Sequence, residues 1–140
     1  TLLLAILVVY SAMGYIELEH SNSQDIIDLL EEGSHNVYVI MFTAGATEGT
    51  ALANRNNDYE DTLISKVLEH YGNFYYARVD ARNKDYQDLV NKCGVSLNEL
   101  AKSPSVLIME HGNGAWIHGP ETIAKIAEFA TVYNRRSENA

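Results

Sequence analysis

The chain has 140 residues, of which 46% are hydrophobic, and this length and composition fit one globular domain. Its 19 acidic and 10 basic residues give a net charge of −9, which excludes the clustered Lys and Arg surface of a nucleic-acid-binding protein and argues against docking on anionic lipid headgroups. One cysteine excludes an internal disulfide, and none of the five histidines has a partner at zinc-ligand spacing, so we expect no metal and no cofactor.

The first segment carries no charge, and residues 2–10 are apolar almost without interruption. Three interpretations are open: a membrane anchor, a signal-like segment and a buried core helix. As a helix, residues 1–16 would span about 24 Å, short of a hydrocarbon core of about 30 Å. We expect residues 1–14 to form an apolar helix, a membrane anchor or signal-like segment, before a domain at residues 15–140. The acidic flank, whose first basic residue is Arg55, places that domain on the non-cytoplasmic or non-matrix side by the positive-inside tendency.

Beyond this segment, short strands alternate with amphipathic helices. Residues 15–19 alternate apolar and polar side chains, which predicts a strand, and Ser23 is expected to cap a helix that ends at Gly33. Residues 36–43 are continuously apolar with β-branched and aromatic side chains, as expected of a buried central strand. A loop of small residues, 44–50, follows this strand.

The remaining elements continue the same alternation. Apolar residues spaced three and four apart predict a helix over residues 58–71, and the asparagine-rich residues 54–57 before it are interpreted as solvated surface or as an inserted loop. Asn113 and Gly114 have the composition of a two-residue hairpin turn. The other predicted elements are strands at residues 74–79, 105–109 and 115–118 and helices at residues 85–92 and 121–133.

The order β-α-β-α-β-α-β-β-α and several local sequences resemble the thioredoxin fold. Residues 37–44 resemble the family's central strand before the active-site loop, and residues 78–80 resemble the next strand with its terminal aspartate. Residues 91–95 resemble the end of the short helix, and residues 103–106 resemble the cis-proline turn that enters the hairpin. The resemblance covers residues 15–135 and departs at residues 96–102, which lengthen the approach to the proline. It implies an α/β fold with a central mixed sheet flanked by helices, here preceded by the N-terminal apolar helix.

The paired cysteines of thioredoxin chemistry are missing. That chemistry needs a thiolate at a helix N-terminus and a second thiol three residues later. The corresponding window, residues 45–50, contains no cysteine and is a degenerate active-site loop that includes Ala46, Thr47 and Gly49. The buried acid that the resemblance implies would fall on an apolar residue, Ile40 or Met41. We therefore predict no catalytic residues, no disulfide oxidoreductase activity and no small-molecule substrate.

Three other positions carry predictions. The resemblance implies that the peptide bond between Ser103 and Pro104 is cis and that Pro104 has a structural role or supports peptide binding. Cys93 follows an amphipathic helical turn and is predicted to be a buried, unreactive free thiol, with a redox-sensing or peroxidatic role as the alternative. A hydroxyl nucleophile at Thr47 or Thr50 would need an adjacent base, and no histidine is near in sequence.

These observations predict a non-catalytic thioredoxin-like accessory subunit of a membrane protein complex. Its partners would be the other protein subunits and, through residues 2–14, the membrane. The resemblance to thioredoxin-like subunits of respiratory complexes favours the mitochondrial inner membrane, with the domain in the intermembrane space. The alternative is a polypeptide-binding module, in the endoplasmic reticulum lumen or secreted, of the disulfide-isomerase or oligosaccharyltransferase-accessory type. The sequence has no Asn-x-Ser/Thr acceptor for glycosylation, which favours the mitochondrial interpretation.

Overall fold

The fold is organised around a mixed sheet of five strands in the order β1-β3-β2-β4-β5, in a computed structural model that describes residues 14–32, 34–110, 113–118 and 123–138. The parallel pairs are β1 with β3 and β3 with β2, and the antiparallel pairs are β2 with β4 and β4 with β5. All residues of β2 are buried, which explains why its sequence is a continuous apolar run and not an alternating one. The strands are β1 (Ile16–Glu17), β2 (Val37–Thr43), β3 (Phe74–Asp80), β4 (Ser105–Glu110) and β5 (Asn113–His118).

Helices cover both faces of this sheet. The described helices are α1 (Ser23–Glu31), α2 (Ala51–Lys66), α3 (Gln87–Cys93), α4 (Leu97–Leu100) and α5 (Ile123–Glu138). Residues of α2 and α5 form one core cluster with Val39 and Met41 of β2, whereas residues of α1, α3 and α4 form the second cluster with Ile40 and Phe42. The alternation of side chains along β2 therefore separates two cores.

The chain leaves β2 and β3 toward opposite faces, because β2 leads into α2 and β3 leads into α3. Two adjacent parallel strands whose connections diverge leave a crevice at their carboxyl ends. The candidate functional site lies in that crevice.

Local capping explains where the first helices begin. The side chain of Asn22 accepts a hydrogen bond from the backbone N–H of Asp25, so Asn22 is the N-cap of α1 and not Ser23 as predicted. Ser23 is instead buried, where its hydroxyl donates to the Asp85 carbonyl and accepts from the Leu89 N–H, which ties α1 to the start of α3. The predicted helix is present, but Ser23 is its first residue and not its cap, and it is held by tertiary contacts.

Several predicted boundaries are wrong. The helix predicted over residues 58–71 begins at Ala51, where Thr50 caps it, and ends at Lys66 before a short 3₁₀ turn, Leu68–His70. Residues 54–57 are therefore helical and not an inserted loop. Asn113 pairs with Glu110 and Gly114 pairs with Met109, so both residues lie in β5 and not at a turn. Periodicity alone missed the start of α2 because its first turns are mostly polar.

The N-terminal prediction falls almost entirely on residues that the structure does not describe. The apolar helix predicted over residues 1–14 lies outside the described residues except for Gly14, and the domain boundary beside it stays a prediction. Gly14 has φ +87°, and a Cβ atom there would lie 2.6 Å from the backbone oxygen of Glu69. Only glycine fits this backbone contact. Within the described part of the chain, no helix has the length and apolar character needed to cross a membrane.

Candidate functional site at the carboxyl ends of β2 and β3

A pocket of about 390 Å³ lies in the crevice where β2 and β3 end. We call it the switch-point pocket. Both strands contribute to it, and so do the loop after β2 and one face of α2, which begins directly after that loop. Its lining residues are Thr43, Gly45, Ala46, Ala53, Asn56, Arg78 and Asp80.

The loop after β2 leads directly into the N-terminus of α2, which begins earlier than predicted. The Thr50 hydroxyl donates to the Thr47 carbonyl at 2.7 Å and accepts from the Ala53 N–H at 3.3 Å. These bonds satisfy groups that the helix end leaves unpaired, so Thr50 is an N-cap and its hydroxyl is already engaged. Ala46, Thr47 and Gly49 are exposed, and Ala46 also lines the pocket.

Asp80 fixes this loop to the end of β3. Its Oδ1 accepts hydrogen bonds from the Gly45 N–H and the Arg82 N–H, both at 2.9 Å. A Cβ atom on residue 45 would lie 2.3 Å from Asp80 Oδ2, so the contact requires a glycine at this position. The terminal aspartate singled out by the sequence is therefore a loop-positioning residue.

A polar network on β3 and α2 lies beside Met41, one of the two apolar residues at the position where the resemblance implies a buried acid. Met41 is fully buried, and the Tyr76 hydroxyl approaches its Sδ at 3.7 Å. The same hydroxyl donates to Glu60 at 2.7 Å, and Glu60 forms an ion pair with Arg78 at 3.1 Å. Burial, followed by the nearby Glu60 carboxylate, raises the pKa of Tyr76 well above its ordinary value. The tyrosine therefore stays neutral, and its hydroxyl donates a hydrogen bond to the Glu60 carboxylate.

Asn56 is the most unusual residue of the pocket because it is a polar side chain with only 2% exposure. Its Nδ2 donates to the Ala44 carbonyl at 3.2 Å, whereas its Oδ1 is buried and has no hydrogen-bond partner. The Ala44 oxygen can only accept, so it fixes the amide with the nitrogen toward the loop. The asparagine-rich composition of residues 54–57 predicted Asn56 at the surface. Its spacing of three from Ala53 and Tyr59, both buried, is the signal that could have indicated an inward position.

The Pro104 region departs from the resemblance. No peptide bond between described residues is cis, so the prediction for the bond between Ser103 and Pro104 is wrong. The segment before it folds into α4, and the N–H groups of Lys102 and Ser103 both donate to the Glu99 carbonyl at 3.0 and 3.2 Å. The chain thus enters the proline from a helical turn, and the trans form is intrinsically favoured by about 0.5–1 kcal/mol. Pro104 is buried.

Cys93 lies at the other end of a helix from where thiol chemistry would need it. It is the last residue of α3 and is partly buried, with its side chain packed against the cluster of α1 and α3. Burial raises the pKa of the thiol, and the nearby Lys92 opposes this only in part. A protonated thiol is a weak nucleophile.

One serine–histidine contact does not amount to a catalytic pair. Ser105 Oγ and His118 Nδ1 are 2.7 Å apart on the paired strands β4 and β5. Ser105 is only 1% exposed, so the contact joins the two strands and does not present a nucleophile. Among the described residues, no group of three His, Cys, Asp or Glu side chains is arranged to hold a metal ion.

No protein-family model matches the sequence, and no curated protein is similar to it. Solved structures are similar in fold. Spinach chloroplast thioredoxin f, in its long form, aligns with a TM-score of 0.62 at 12% identity over 89% of this chain and 91% of its own. Thioredoxin from Trypanosoma brucei brucei aligns at 0.59 and 13% identity over 89% and 94% of the two chains. Thioredoxin from Fasciola hepatica aligns at 0.55 and 17% identity over 84% and 98%. The chain therefore has a thioredoxin-like α/β fold, with a mixed sheet of five strands flanked by helices.

Proposed function

We propose that the chain is a non-catalytic thioredoxin-like subunit that works by contact within a membrane protein complex. The observation that carries this proposal is the loop between β2 and α2. It keeps a capped helix N-terminus but offers the Thr47 and Thr50 hydroxyls in place of thiols. The single thiol, Cys93, lies at the C-terminus of α3, where a helix gives a thiolate no stabilisation.

The tether is the second part of the proposal. Residues 2–10 are apolar, and helices already cover both faces of the sheet, which supports an outward direction for this segment. Burying one Leu or Ile side chain stabilises by about 1.5–3 kcal/mol, so a segment with many of them favours lipid or a partner over water. We propose that residues 2–14 hold the chain in the mitochondrial inner membrane and that the acidic domain projects into the intermembrane space.

The alternative, a lumenal or secreted polypeptide-binding module, would bind a polypeptide near Pro104. That residue is buried and follows a helical turn, so its surroundings do not support peptide binding there, and we favour the membrane-complex subunit.

An insulin-reduction assay tests the non-catalytic part. We expect no turnover from the purified chain above a protein-free control. The matched control is the double variant Thr47→Cys and Thr50→Cys, which supplies a pair of thiols. The Thr50 N–H donates to the Thr47 carbonyl at 3.1 Å across a tight turn. Such a turn brings the two Cα atoms within reach of a disulfide. Turnover by the unaltered chain that disappears in Cys93→Ser would overturn the proposal.

Alkaline carbonate extraction of native membranes, followed by native electrophoresis, tests the tether. We expect the chain to remain with the membrane and to migrate with other subunits. A variant with Leu4→Lys and Val8→Lys should be released, because a charge at the centre of an apolar segment costs about 2.5–3.5 kcal/mol. Release of the unaltered full chain as a soluble monomer would contradict the membrane-complex proposal. Protease protection in mitoplasts then reports the side of the membrane on which the domain lies.

A further inference from the structure

We propose that the switch-point pocket binds the ammonium group of a lysine side chain from a partner protein. This inference deepens the proposed function, since it names the chemistry of one contact within the complex. It is carried by three features of the pocket: an uncompensated negative charge, acceptors without donors and a wall that suits an aliphatic stem.

The charge balance of the pocket is negative. Among the described residues, Arg78 is the cation that lines it, and Arg78 is neutralised by Glu60 at 3.1 Å and also donates to Asn57 at 3.0 Å. Asp80 forms no ion pair with any residue that the structure describes. The local sum over Arg78, Glu60 and Asp80 is therefore one negative charge, which favours a cationic ligand.

The unused hydrogen-bonding groups are acceptors. Asp80 Oδ1 accepts two backbone N–H groups, and within the described chain Oδ2 accepts none. The Asn56 carbonyl oxygen is also without a donor, and its orientation is fixed because Nδ2 is committed to Ala44. An ammonium group only donates, so it suits the free Oδ2 of the exposed Asp80. The buried Asn56 oxygen has no donor to offset it and adds to the negative potential of the pocket wall.

The geometry favours lysine over arginine. Arginine binds a carboxylate best through two parallel hydrogen bonds to both oxygens. At Asp80, the Gly45 and Arg82 N–H groups already occupy Oδ1, so this paired arrangement is not available. An ammonium group needs only Oδ2, and its aliphatic stem can lie against the methyl groups of Ala46 and Ala53.

The ligand source that fits best is a protein. A single, partly exposed ion pair contributes little free energy, so a free amine would be held weakly, whereas a protein surface adds contacts around the lysine. The net charge of −9 attracts basic surfaces over a distance of about one Debye length.

Nuclear magnetic resonance on the full chain tests the pocket chemistry. The probes are the N-acetyl methylamides of lysine, arginine and norleucine at constant ionic strength. We expect saturable shifts of the Gly45 and Arg82 amide signals with the lysine probe, weaker binding of the arginine probe and no saturable shift with the neutral norleucine probe. Asp80→Asn retains an Oδ1 acceptor but removes the charge, and it should weaken lysine binding by about three- to fivefold. Asp61→Asn, which removes an exposed charge outside the pocket, should bind as the unaltered chain does. Equal shifts with lysine and norleucine, or unchanged binding in Asp80→Asn, would overturn the inference.

Carbodiimide cross-linking in native membranes tests the source. We expect an amide link between the Asp80 carboxyl group and a lysine of another protein, lost in Asp80→Asn and retained in Asp61→Asn. Asp80 linked only to added free amine, in a chain that still migrates with the complex, would overturn the inference and leave the proposed function intact. A chain that binds the lysine probe but extracts as a soluble monomer would contradict the proposed function and the protein source together.

Discussion

Two segments that the resemblance aligns with thioredoxin's reactive surface differ in how far their backbone agrees with the resemblance. The loop after β2 leads into a helix of 16 residues that Thr50 caps, and Asp80 holds Gly45 of this loop. The segment before Pro104 departs from the resemblance, because residues 96–102 contain α4 and the bond to the proline is not cis. One segment agrees with the resemblance except that it contains no cysteine, and the other differs in backbone geometry.

The difference follows from what holds each segment. The first depends on the Thr50 hydroxyl, which caps α2, and on the Asp80 side chain, which accepts backbone N–H groups. The second depends on how the chain approaches the proline, and the extra helical turn changes that approach. The loop after β2 is therefore held by a threonine and an aspartate and needs no thiol.

The loop after β2 should be most sensitive to substitution at the contact between Gly45 and Asp80. In Gly45→Ala the Asp80 carboxylate must move, with loss of the hydrogen bonds from Gly45 and Arg82, and we expect a loss of about 2 kcal/mol in the free energy of unfolding by urea titration of the full chain. The control is Gly49→Ala. Its φ of +87° carries strain but its surroundings are open, so it should cost about 1 kcal/mol. An equal loss in the two variants would show that the Asp80 contact does not hold the loop.

The second prediction compares the reactivity of Cys93, on the packed side of α3, with that of a thiol introduced into the loop after β2. Because burial raises its pKa, we expect Cys93 to react with iodoacetamide at neutral pH about tenfold more slowly than the exposed thiol of a variant carrying Thr47→Cys and Cys93→Ser. Equal rates would contradict the burial of the native thiol.

The same shift in pKa has a consequence for stability. Since the folded pKa lies above the ordinary value of 9.0, the fold favours the neutral thiol. That contribution is fully present below the unfolded pKa and is lost as the pH rises through the folded pKa. Urea titrations on the alkaline side should show a smaller decline in Cys93→Ser than in the unaltered chain, and identical profiles would contradict the shift.

The two helix caps should differ least, but in a fixed direction. Thr50→Ala removes the cap of the long helix α2 and should cost about 1 kcal/mol in the free energy of unfolding. Ser96→Ala removes the cap of α4, which has four residues and a cap bond of 3.4 Å, and should cost about 0.5 kcal/mol or less. A larger loss of unfolding free energy in Ser96→Ala would indicate that α4, and not the loop after β2, stabilises this end of the sheet.

The sequence by itself determined the class of fold and the absence of paired thiols. Long apolar runs such as residues 37–43, and the alternation of strands with helices, survive in the structure because local periodicity reports which side chains face a core. The missing cysteines needed no structure. The loop position of Ala46, Thr47 and Gly49 also followed from sequence, because the loop lies between two strongly patterned elements.

Tertiary structure decided the rest. The polar first turns of α2 have no clear period, so only packing on the sheet shows that they are helical and that Asn56 is buried. The course of the chain into Pro104 depends on α4, whose four residues are too few for a periodic signal. The switch-point pocket brings Asn56 of α2 to Asp80 of β3, and no local pattern can place together residues that are separated in sequence and joined only by the crossing of helix and sheet.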